Sequence, residues 1–143
     1  MDTIVESALW PDRSTKWARP LFPASVSAGF RSPAEEYIEG RLDLNRLLIK
    51  RPAATFFVRV AGDSMIGAGI HPGDILVVDR ALEPQHSNVV IAVIDGELTV
   101  KRISQRGGKI FPVPDNQAYE PLEILDEMEF EVWGVVTSVI HNL

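Results

Sequence analysis

From Thr55 onward the chain reads as β, with apolar-rich runs of strand length separated by short breaks carrying glycine or proline. The pattern predicts strands over residues 55–61 (TFFVRVA), 75–79 (ILVVD), 88–95 (NVVIAVID), 97–103 (ELTVKRI), 108–113 (GKIFPV) and 130–140 (FEVWGVVTSVI). Asp95–Gly96, between two apolar runs, is a two-residue hairpin signal, because both residues accept the positive φ that such turns require. Gly134 inside the last run marks a bend or bulge. Strands this close, joined by short turns, predict a mainly β, compact domain of mostly antiparallel strands.

The first part of the chain reads differently. Residues 1–31 have no sustained period and are punctuated by Pro11, Pro20 and Pro23, with Ser25, Ser27, Ala28 and Gly29 following. They are expected to form a mobile, extended N-terminal arm. Ser32 with Glu35 three positions on has the form of a capping box, and Pro33 suits a first helical position. Tyr37, Ile38 and Leu42 give that segment an apolar side, Gly40 weakens it, and Asp43 can cap a second short turn before Leu44, Leu47 and Leu48. The expected organisation is therefore an arm over residues 1–31 and a domain over residues 32–143 with one or two short helices.

Composition narrows the function classes. The 143 residues suit one domain with a real core. The formal net charge of −6 repels a phosphate backbone, so sequence-specific DNA binding by this chain alone is not expected. The absence of cysteine removes disulfides and thiolate metal sites and suits a reducing cytoplasm. No apolar run reaches the length of a membrane span, and the first residues have neither the basic start nor the apolar stretch of a signal peptide. A cytoplasmic protein without membrane attachment is expected.

Two residues carry candidate chemistry. Ser64 stands in Gly62-Asp63-Ser64-Met65 directly after a predicted strand, with glycines at 62, 67, 69 and 73 allowing sharp turns. A serine hydroxyl needs a base to become a nucleophile. Lys101 lies within the strand ELTVKRI, on one face with Thr99 and Ile103, while Leu98, Val100 and Arg102 take the other. A lysine kept from water favours the neutral amine, which can accept the serine proton, and serine–lysine pairs need no histidine. Taken singly, Ser64 reads as a turn-capping serine and Lys101 as a solvated strand lysine. His71, His86 and His141 show no metal or triad spacing and read as surface or structural residues; no metal and no cofactor are expected.

The ordered set Gly62-Asp63-Ser64-Met65, Gly69-Ile70, Gly73-Asp74, Asp95-Gly96-Glu97 and Thr99-Val100-Lys101 resembles the LexA/UmuD family of self-cleaving serine–lysine peptidases. Ser32-Pro33-Ala34-Glu35, Leu42-Asp43-Leu44-Asn45, Leu47-Leu48-Ile49 and Trp133-Gly134-Val135-Val136 look like its UmuD branch. The likeness runs from Leu21 to about Ile140. It implies a LexA/UmuD-like β fold, usually a homodimer, with Ser64 and Lys101 catalytic and the chain's own Ala28–Gly29 bond as substrate. Backbone amides of Asp63 and Ser64 are the expected oxyanion donors. It further implies an SOS-response role: binding to a RecA–single-stranded DNA filament triggers the cut, and the shortened chain joins a UmuC-type Y-family DNA polymerase for error-prone bypass of lesions. Weighed beside it are a polymerase-binding module that no longer cuts, a LexA-like repressor fragment, disfavoured because no helix-turn-helix pattern precedes the bond, and a signal peptidase, disfavoured by the lack of an anchor.

Overall fold

The computed structural model describes residues 1–12, 18–21, 40–119 and 130–143. Two compact units are present, Asp12–Lys50 and a second that joins Met1–Pro11 to Arg51–Leu143. In the smaller unit, β2 (Ala18–Leu21) pairs antiparallel with β3 (Gly40–Asp43). The helix α1 (Leu44–Leu48) follows, and the Asp43 side chain accepts from the Asn45 amide, as its capping position anticipates. The capping-box segment over residues 32–39 and the Ala28–Gly29 bond lie outside the described residues.

The larger unit is a seven-stranded sheet in the order β1-β4-β5-β9-β6-β7-β8, formed by β1 (Ile4–Leu9), β4 (Thr55–Ala61), β5 (Ile75–Asp79), β6 (Val89–Ile94), β7 (Glu97–Arg106), β8 (Lys109–Val113) and β9 (Phe130–Ile140). The described pairings are all antiparallel. Local sequence accounts for the turns. Asp95 and Gly96 have φ of 49° and 79°, the double left-handed geometry of a tight hairpin between β6 and β7. At Gly134 the β6–β9 register shifts, and a Cβ there would stand 2.6 Å from Val78 Cγ1, so a bulge and a close strand approach both select glycine.

β1 closes the sheet into a barrel-like ring. It pairs with β4 along its length, from Ile4 opposite Ala61 to Leu9 opposite Phe57, and touches β7 where Ile4 faces Thr99. The Val100 amide donates to the Thr3 carbonyl at 2.9 Å. Thus residues 4–9, expected to belong to a free arm, are a paired strand of the larger unit. The β-branched run Thr3-Ile4-Val5 favours this conformation, and closure covers the free edge of β4. Beyond β1, the Trp10 ring stacks against Phe56 with centroids 3.8 Å apart, and Phe56 in turn meets Trp133.

Val58, Val60, Met65, Ile70, Leu76, Val78, Ile91 and Val100 form the main core, while Val90, Ala92, Ile94, Ile103 and Val135 pack on the other face of the sheet. Alternation places Val58 and Val60 inside and Arg59 outside on β4. Among the described residues, no helix is long and apolar enough to cross a membrane.

Candidate active site

β4 ends at Ala61, and Gly62 turns the chain with φ of +92°. A side chain at 62 would meet the Asp2 carbonyl oxygen at 2.1 Å, so glycine is required both for the turn and for the close passage of the first residues. The next residues lead into a short 3-10 turn over Ile66–Ala68, ended by Gly69 in the left-handed region. Met65 is fully buried in the main core and anchors this loop from below. A second loop fastens it from the side. The Asp115 amide donates to the Ser64 carbonyl at 2.9 Å, the Gly67 amide to the Asp115 carbonyl at 2.6 Å, and the Asn116 side chain to the Asp63 carbonyl at 2.7 Å. Arg102 holds Asp115 through its Nε at 2.7 Å. Arg102 thereby secures the loop that carries Ser64, while its neighbour Lys101 points to the other face of β7.

Ser64 is fully buried and Lys101 is 4% exposed. They meet at one atom. Ser64 Oγ donates to Asp2 Oδ1 at 2.9 Å, and Lys101 Nζ donates to the same oxygen at 2.6 Å. Ser64 and Lys101, far apart in sequence, therefore face each other across a single carboxylate oxygen. Thr3 completes the enclosure: its amide donates to Ser64 Oγ at 2.9 Å, and its hydroxyl lies 3.0 Å from the same oxygen. Ser64 Oγ and Lys101 Nζ are thus both engaged by the first residues, so the arrangement is a closed one.

Of the two amides expected to stabilise an oxyanion, that of Asp63 already holds a carbonyl oxygen, the one of Met1, at 2.9 Å. The Asp63 carboxylate accepts from the Tyr119 hydroxyl and the terminal ammonium of Met1, which hold its pKa below the usual 3.8. The same hydrogen bond, then desolvation and the negative charges of Asp63 and Asp2, push the Tyr119 hydroxyl up to about 12.

Asp2, Thr3 and Tyr119 belong to none of the sequence motifs. The β-branched run at Thr3-Ile4-Val5 is the one local sign of a strand, but its partners are distant in the chain. The histidine reading also needs enlargement. His86 is structural, accepting from the Gln105 amide through Nδ1 at 2.9 Å. His71 and His141 flank the buried Asp74, with His141 Nδ1 at 2.5 Å from Asp74 Oδ1 and the buried His71 Nδ1, which makes no hydrogen bond, at 3.8 Å from Asp74 Oδ2. These three side chains, with donor atoms within 4.8 Å of one another, are the ones among the described residues able to gather round a metal ion.

The larger unit is thus a closed antiparallel β structure that buries Ser64 and Lys101 against one shared oxygen. The chain belongs to the Peptidase S24-like family, whose match spans residues 20–137. Among its relatives, Protein ImpA of Escherichia coli is 48% identical over 150 residues, covering 99% of this chain and 97% of the relative. Protein SamA of Salmonella typhimurium is 51% identical over 123 residues, 86% of this chain and 85% of its own. Protein MucA of Escherichia coli is 41% identical over 135 residues, 87% and 83% of the two chains.

Proposed function

We propose that the protein is a self-cleaving serine endopeptidase in which Ser64 is the nucleophile, Lys101 its general base and Ala28–Gly29 the bond cut. The observation that carries this reading is the convergence of Ser64 Oγ and Lys101 Nζ on Asp2 Oδ1. With the carboxylate gone and the amine unprotonated, Lys101 takes the hydroxyl proton as Ser64 attacks the Ala28 carbonyl. The resulting oxyanion is received by amides at Asp63 and Ser64. Lys101 then returns the proton to the Gly29 nitrogen as the C–N bond breaks, and water hydrolyses the acyl-enzyme. Because the substrate is tethered, much of the rate comes from effective concentration.

The biological setting in this reading is the SOS response. A RecA–single-stranded DNA filament favours the cutting state, and the shortened chain, as a cytoplasmic homodimer, serves a UmuC-type Y-family polymerase. Membership of the S24-like family and the resemblance to the UmuD branch support it. A second reading, a polymerase-binding module that no longer cuts, draws on the occupied site around Ser64.

Incubation with activated RecA filaments, followed by intact-mass spectrometry, tests the proposal. The chain should release residues 1–28 and leave a product beginning at Gly29. Ser64→Ala and Lys101→Ala should each abolish this while preserving the circular dichroism spectrum. The same fragment from either variant would remove the dyad.

A further inference from the structure

The seam between β4 and β7 holds an extended peptide, and that peptide is the chain's own beginning. Its polar groups are matched one by one. The Met1 carbonyl accepts from the Asp63 amide, the Thr3 amide donates to Ser64 Oγ, the Thr3 carbonyl accepts from the Val100 amide, and the Asp2 carboxylate spans Ser64 and Lys101. Ile4–Leu9 then continues the pairing along β4, and Trp10 clamps its far end on Phe56. Main-chain bonds that set register, with side-chain subsites that set identity, are how a sheet recognises a strand added to it.

We infer that this seam is a peptide-binding slot whose resident ligand is the acid–hydroxyl pair Asp2-Thr3 at the head of β1, and that a peptide bond reaches Ser64 only after β1 leaves. This rests on the peptidase reading above and adds the occupant that competes with the substrate. Burial decides the matter. Ser64 has no exposed surface while Thr3 and Asp2 are in place, so no carbonyl carbon has a path to its oxygen. The carboxylate also ties up the lysine that would serve as base. Release of one short strand therefore frees nucleophile, base and an oxyanion donor together.

The test uses the full chain and two variants at opposite ends of β1. Asp2→Ala removes the bridging carboxylate. Trp10→Ala removes the clamp on Phe56 and touches neither Ser64 nor Lys101. Both should speed release of residues 1–28, and Asp2→Ala by roughly tenfold to a hundredfold, the population change expected when a charge-assisted hydrogen bond is lost. A slower Asp2→Ala chain would overturn the inference by making Asp2 part of the catalytic machinery, and unchanged rates in both variants would overturn it by showing that the slot does not limit access.

Hydrogen exchange separates this inference from the peptidase reading. In the Ser64→Ala chain, the amides of residues 4–9 should be protected, and both substitutions should accelerate their exchange. If these amides exchange as fast as a free peptide, the slot does not hold β1 and the inference falls. If they are protected but the parent chain never cuts, the peptidase reading fails while the slot stands.

Discussion

Lys101 and Asp2 form an ion pair at 2.6 Å whose two sides differ sharply in solvation, with the lysine side chain 5% exposed and the aspartate 44%. That asymmetry predicts unequal costs for removing either partner. Asp2→Ala leaves an ammonium in a closed site. Breaking a fully buried pair costs about 3–5 kcal/mol, and the open aspartate side reduces this to about 2 kcal/mol, because water follows into the gap. Release of Met1–Thr3 from the seam sets the ceiling. Lys101→Met keeps the apolar volume against Ile103 and Val90 and leaves a carboxylate that can turn to water, so its cost should be below about 1 kcal/mol. With the charge already gone, adding Asp2→Ala to Lys101→Met should cost little. The four chains of this cycle, each built on Ser64→Ala to exclude the proposed cut, should yield a coupling of about 1–2 kcal/mol in urea unfolding. Effects that add to within about 0.5 kcal/mol would refute the pairing.

Tyr119 gives a pH prediction. Its folded pKa of about 12 lies above the ordinary 10.0, so its contribution to stability is complete below pH 10 and is lost as pH rises toward 12. In a Tyr37→Phe background, the absorbance titration of Tyr119 should have its midpoint near 12, and Asp63→Asn should lower it; a normal midpoint in the parent would show that Tyr119 does not donate to Asp63. Gly62→Ala should destabilise a Ser64→Ala chain by about 2–4 kcal/mol in urea, combining left-handed strain with hydrogen bonds lost as Met1–Thr3 is pushed away. A loss under about 0.5 kcal/mol would mean that the first residues do not cross over Gly62.

Features set by neighbouring residues could be read from the chain. The Asp95–Gly96 hairpin, the bulge at Gly134 and the helix cap at Asp43 each depend on a few adjacent positions, and each is present. The strand expected over residues 55–61 is likewise present as Thr55–Ala61. The proximity of Ser64 and Lys101 was expected from family likeness, since nothing local to either residue specifies it. Asp2 was illegible because its partner lies 99 positions away, and a lone acidic residue near a chain start carries no periodic signal. The grouping of His71 with His141 is hidden for the same reason. It exists because β9 runs antiparallel beside β5 and delivers the end of the chain to the turn before Ile75.

The double pairing of β1 governs which strand margins the larger unit presents. Ile4–Leu9 is stitched to β4 and Thr3 to Val100, so the strand sits like a stave in a cask. Only its departure lays bare two adjoining strand margins at once. A protein that recognises extended backbone would then find a landing place that the docked strand keeps filled.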